Sequence, residues 1–78
     1  MPTVLREGPY RFSFFSLDMS EPPHIHVRRD RSSAKFWLQP VSLAYSHGLA
    51  DHELNDIKRR VEQHQVLFLE AWDEYFNT

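Results

Sequence analysis

Cysteine is absent from the 78 residues, so no disulfide can brace the fold. A chain of this length makes one domain, residues 1–78, and buries roughly 60–65% of its unfolded surface. Such a core is marginal, and small domains often add a metal or a partner subunit. Glycine occurs only at positions 8 and 48, which leaves no glycine-rich loop to cradle a phosphate and no glycine-flanked nucleophile elbow. No apolar run nears the ~20 residues that cross a bilayer, so no membrane association is expected. No N-terminal stretch pairs a basic start with an apolar run, so no signal peptide is expected. The lack of cysteine fits a reducing compartment, and a cytoplasmic protein is the expectation.

A strong excess of positive charge is also missing: the net charge is −2. That total conceals a split. Residues 1–50 hold six basic against four acidic side chains, whereas residues 51–78 hold three against seven. A globally basic nucleic-acid binder is not indicated, but a local basic patch on the first half is allowed.

What is present reads as strands followed by a helix. Thr3 to Glu7 predicts a short strand, ended by the Gly8-Pro9 turn pair. Tyr10 to Leu17 is aromatic and starts with period-two alternation, predicting a second strand. Asp18 to Pro23 is a loop. His24 to Arg29 alternates Ile25 and Val27 against His24, His26 and Arg28. Asp30 to Ser33 suits a hairpin turn, and Ala34 to Gln39 returns with Phe36 and Leu38 opposite Lys35 and Trp37. Val41 to Tyr45 is either a fifth strand or a single helical turn. From Asp51 to about Phe76, the residues Leu54, Ile57, Val61, His64, Phe68, Trp72 and Tyr75 recur at steps of three and four, the signature of one helical face. Asp51 suits the N-cap, and Asp51 and Glu53 favour the helix N-terminus. At ~1.5 Å per residue this helix would be about 39 Å long, so a bend near Gln63-His64-Gln65 is allowed.

The fold class is therefore α+β: a small, mainly antiparallel sheet of three to five strands in residues 1–48, packed by a long amphipathic helix over 51–77. Ile25, Val27, Phe36, Leu38, Leu54, Ile57, Val61, Phe68 and Trp72 are the expected core. Near its end the helix has a wider apolar arc than one sheet can cover, because Val66, Leu67, Leu69 and Phe76 overflow the stripe. A homodimer, or a heteromer with a small protein, is the expected use of that arc. Folding of the Pro40–Gly48 segment over the second shoulder is the alternative.

Strand alternation sorts the chemistry. If the apolar set faces the helix, then His24, His26, Arg28, Lys35 and Trp37 share the other face, joined by Arg11, Ser13 and Phe15. Three readings compete for it. Arginine and lysine can neutralise RNA phosphates while Trp37 stacks a base, and His24 or His26 can serve as general acid or base toward a ribose hydroxyl. Alternatively, His24 and His26, two apart on one strand, form half of a metal site completed by His47, His52, His64, Glu21 or Asp30, none of them at a recognised spacing. Or the face is structural, its cations pairing with Glu7, Asp18 or Asp30. The catalytic candidates are thus His24, His26 and Arg28, and the binding candidates Lys35, Trp37 and Arg11. No metal ligand set and no cofactor is called for. Burying two histidines, an arginine and a lysine without partners would be costly, so these side chains are expected to be wet or to contact a polar partner.

The run Glu21-Pro22-Pro23-His24-Ile25-His26-Val27, with Ala34-Lys35-Phe36-Trp37-Leu38, Glu53-Leu54 and Glu70-Ala71-Trp72, resembles a small bacterial family called domain of unknown function 4160. The Pro2-Thr3-Val4 and Gly8-Pro9-Tyr10-Arg11-Phe12 segments resemble its start. The resemblance implies a prokaryotic origin and genes placed in compact two-gene cassettes similar to toxin–antitoxin pairs. It implies no catalytic residue. A small component of such a pair, acting through protein binding and RNA contact, is the preferred expectation. The alternative is a ribonuclease or metal-dependent hydrolase using His24 and His26. One departure is Ala50, which cannot form the capping box with Glu53 that a serine or threonine there would form.

Overall fold

The computed structural model describes residues 3–15 and 20–76, so Leu17, Asp18 and Asn77 lie outside the described residues. Five strands form one antiparallel sheet in sequential order: β1 (Thr3–Glu7), β2 (Tyr10–Ser13), β3 (His24–Arg29), β4 (Ser32–Leu38) and β5 (Val41–His47). Two helices follow, α1 (Asp51–Gln63) and α2 (Gln65–Phe76). The arrangement is the expected α+β fold, and Val41–His47 is a strand and not a helical turn.

The first turn is the Gly8-Pro9 pair the sequence suggests, and the second is tighter than expected. Glu7 pairs with Tyr10 across Gly8-Pro9, and Arg29 pairs with Ser32 across Asp30-Arg31. Each is a two-residue hairpin, which needs a positive φ; Gly8 and Asp30 supply it at 57° and 54°. The second turn therefore takes only Asp30 and Arg31, and β4 starts at Ser32.

Alternation delivers the core. Tyr10, Phe12, Phe14, Ile25, Val27, Ala34, Phe36 and Leu38 are buried on one face, under Ile57, Val61, Phe68 and Trp72 of the helices. Leu54 packs against this cluster while partly exposed. Phe12 meets Phe68 at 5.3 Å between ring centroids, and Phe14 meets Trp72 edge-on at 5.3 Å. Burying a phenylalanine of this kind contributes about 1.5–3 kcal/mol.

The one long helix is corrected to two. A straight helix of about 39 Å would exceed the molecule's longest extent of 36 Å. The break falls on His64, within the segment where a bend was allowed. Two polar contacts hold it there: His64 Nε2 lies 2.8 Å from Glu7 Oε2, and the Gln65 amide donates to the Leu38 carbonyl at 2.6 Å. The N-cap is Ala50, with no side-chain cap bond, and Asp51 is the first helical residue. Glu53 turns to the sheet instead, accepting from Arg29 Nε at 2.5 Å, Arg29 Nη2 at 3.0 Å and the Tyr10 hydroxyl at 2.9 Å. The expected apolar overflow is also narrower. Leu69 and Phe76 pack against the core, while Val66 and Leu67 are 68% and 44% exposed. Among the described residues, no helix is long and apolar enough to cross a membrane.

Candidate functional site: the outer face of the sheet

Both helices lie on one side of the sheet, so the other face carries no second layer among the described residues. The register aligns side chains across that outer face in ranks. Arg6 pairs with Arg11, Arg11 with Arg28, Arg28 with Ser33, and Ser33 with His47. Three arginines therefore stand side by side on three adjacent strands, with Arg31 in the hairpin turn beyond them. Like charges directly opposite on a sheet repel, at about 0.2–1 kcal/mol per pair. Other cations are neutralised: Arg29 by Glu53, Arg60 by Glu7 and Asp56, Lys35 by Glu21. No carboxylate of a described residue pairs with Arg6, Arg11, Arg28 or Arg31; Arg28 Nε donates to the Asp30 carbonyl at 3.2 Å.

The next rank runs Thr3, Ser13, His26, Lys35 and Tyr45. Between the two ranks lies a cleft of about 230 Å³, lined by Arg11, Arg28, Arg31, His26, Phe15 and Tyr45, with Ser13 and Ser33 at its floor. The Phe15 and His26 rings stack with centroids 3.8 Å apart and planes 14° from parallel. Tyr45, on the edge strand, is 52% exposed.

The structure divides the residues expected at this site. Arg11, Arg28 and His26 line the cleft. His24 does not: its ring is 0% exposed and has a polar partner, the alternative to a wet position. Among the described residues, β2 pairs with β3 as far as Ser13–His26, two residues short of His24. There the ring reaches Trp72 of α2 at 5.1 Å and Trp37 at 5.6 Å. Its Nδ1–H donates to the Pro22 carbonyl at 2.9 Å, which places the proton of the neutral ring on Nδ1. A side chain enclosed in this way does not line the outer-face cleft.

Lys35 does not line the cleft: its ammonium pairs with Glu21 and sits 4.6 Å from the Trp37 ring centroid. Trp37 instead lines a separate recess with Pro22, Pro23 and Pro40. As for a metal site, no three His, Cys, Asp or Glu side chains converge among the described residues.

The sequence reading missed Arg6 and Arg31 on this face. Arg6 was within reach of it: a two-residue turn at Gly8-Pro9 forces Arg6 opposite Arg11. It also missed a polar layer beneath the sheet. Glu7 accepts from Arg60 Nη1 at 2.8 Å as well as meeting His64, and both contacts hold its carboxyl below the usual glutamate range. Arg29 and Tyr10 do the same for Glu53. Burial and the Glu53 carboxylate push the Tyr10 phenol up.

The family comparison agrees with the resemblance read from the sequence. The model described as Domain of unknown function (DUF4160) matches residues 10–73, which span β2 to α2. No curated protein and no solved structure matches the chain.

Proposed function

This chain belongs to the DUF4160 family, and we propose that it is a binding module whose outer sheet face engages single-stranded RNA. The observation that carries this reading is the rank Arg6–Arg11–Arg28, extended by Arg31, with no carboxylate partner among the described residues. Guanidinium groups without an acid are available to phosphate oxygens, and releasing counterions from the RNA drives that contact. The face is broad, aromatic at Phe15 and Tyr45, and hydroxylated at Ser13 and Ser33. Splayed single-stranded bases can stack on such rings, and a ribose 2′-OH can exchange hydrogen bonds with such hydroxyls. A duplex would offer phosphates and 2′-hydroxyls but no splayed base to stack on those rings.

A ribonuclease is less well supported. His26 reaches the cleft, but no carboxylate of a described residue lines it, and His24 is enclosed. General acid–base cleavage usually uses two titratable groups in one site. The cassette role implied by the family resemblance fits a binding module better. In that role Val66 and Leu67 would meet a small protein encoded beside it, since they are the α2 members of the apolar overflow left exposed.

The test is fluorescence anisotropy with a labelled 12-nucleotide single-stranded RNA. The parent protein should bind. The triple variant Arg6→Gln, Arg11→Gln, Arg28→Gln should bind at least tenfold more weakly. Its slope of log affinity against log salt should fall by about 2, as each lost phosphate contact removes about 0.7 on a single strand. Equal binding by parent and variant would overturn the reading, as would no binding by the parent.

A further inference from the structure

The cleft above Ser13 and Ser33 is built for more than charge neutralisation, and its asymmetry names the unit it would hold. Its volume of about 230 Å³ falls below the roughly 300–1,000 Å³ of pockets that enclose a whole small molecule. It is therefore sized for one unit of a longer ligand. Arginines crowd one end: Arg11 and Arg28 face each other on adjacent strands, and Arg31 projects from the hairpin turn next to Arg28. Aromatic rings flank the other end, with Tyr45 on β5 and the stacked Phe15–His26 pair above β2 and β3.

The gap between those aromatic walls has a physical cause. Lys35 stands between His26 and Tyr45 in the register and would fill the space if it rose straight from the sheet. Its side chain is instead drawn along the strand toward Glu21 and the Trp37 ring, and it does not line the cleft. Two strand spacings, on the order of 10 Å in all, separate the β3 and β5 backbones at this rank. One planar base can enter between the walls, and little more.

We infer that this cleft is a nucleotide site: it takes one base of an RNA strand against Tyr45, with the adjoining phosphate held between Arg28 and Arg31. The inference rests on the RNA-binding reading above and deepens it from charge to base. A polyanion without bases would satisfy the arginines and leave Tyr45 idle; an RNA strand uses both. Stacking of this kind tolerates any base, because every base has a π-face. The site therefore selects single-stranded over paired RNA without fixing a sequence.

The experiment compares two probes, a 12-nucleotide single-stranded RNA and inorganic polyphosphate of similar charge, on three variants. Tyr45→Ala should lose about tenfold in affinity for RNA and nothing for polyphosphate. Tyr45→Phe keeps the ring and should bind RNA within about twofold of the parent. Arg31→Gln should weaken both probes. Tyr45 lies half exposed on an edge strand and Arg31 in an exposed turn. Their thermal midpoints should therefore match the parent's, and the Arg31 variant provides a second reading if Tyr45→Ala alone misfolds. If both probes bind and Tyr45→Ala leaves RNA affinity unchanged, the nucleotide site is wrong while the arginine reading survives. If the parent binds neither probe, both fall together.

Discussion

Arg28 and Arg29 are neighbours in sequence and opposites in role. Arg29 points under the sheet, where Glu53 holds it with two hydrogen bonds and raises its pKa. Arg28 points outward, opposite Arg11, with no acid opposite it. The two faces differ throughout in this way. Beneath the sheet, Arg29 with Glu53 and Arg60 with Glu7 fasten α1 to β1 and β3 around the edge of the apolar core. On the outer face, arginine is ranked against arginine. Of the exposed acids among the described residues, Asp51, Glu62, Glu70, Asp73 and Glu74 lie on the helices, while Glu21 precedes β3 and Asp30 sits in the β3–β4 turn. Charge is thus unevenly spread despite a net charge of −2, and under the proposed function a polyanion would approach from the arginine-bearing side. A period of two residues is enough to turn one residue type from a structural clamp into an available donor.

The sharpest contrast between the faces is in stability. Phe36→Ala, on the inner face, should cost about 3–5 kcal/mol, enough to unfold most of a domain this small, as urea denaturation would show. His24→Ala should cost about 2–3 kcal/mol, because it opens a cavity beside Trp37 and Trp72 and strands the Pro22 carbonyl. His26→Ala, two residues on, should stay within about 1 kcal/mol. Equal effects from the two histidines would break the distinction drawn between them.

Much of this was legible in the sequence. Alternation in β3 and β4 and the three-and-four spacing of Ile57, Val61, Phe68 and Trp72 located the core, because burial imposes those periods directly. His24 escaped that reasoning, since alternation along a strand cannot show that Trp72 of α2 reaches its ring. Lys35 escaped it too, because its direction depends on Glu21, which is outside the strand. The Glu7–Arg60–His64 cluster joins residues more than fifty positions apart and leaves no local signal. Of the arginine rank, Arg11 and Arg28 could be placed on the outer face from alternation, whereas their alignment with Arg6 required the exact hairpin lengths.

A smaller effect separates the faces by pH. Glu7 and Glu53 have lowered pKa values in the folded protein. Their contribution is fully present above the ordinary glutamate range and is lost as pH falls through the folded values. The urea midpoint should therefore drop between pH 7 and pH 3, and the double variant Glu7→Gln, Glu53→Gln should show a shallower dependence. The smallest expected change is in the stability of the outer rank. Arg11→Gln should alter the urea midpoint by no more than about 0.5 kcal/mol equivalent, and in the stabilising direction, because it relieves repulsion from Arg6 and Arg28. Clear destabilisation would mean that Arg11 has a structural role on the outer face.

The most direct test is an amide chemical-shift titration of the isotopically labelled protein with a short single-stranded RNA. The account predicts shifts clustered at Arg6, Arg11, His26, Arg28, Arg31, Ser33 and Tyr45, with α1 and α2 unmoved. Shifts concentrated on the helices, or none at RNA concentrations that saturate binding, would contradict it.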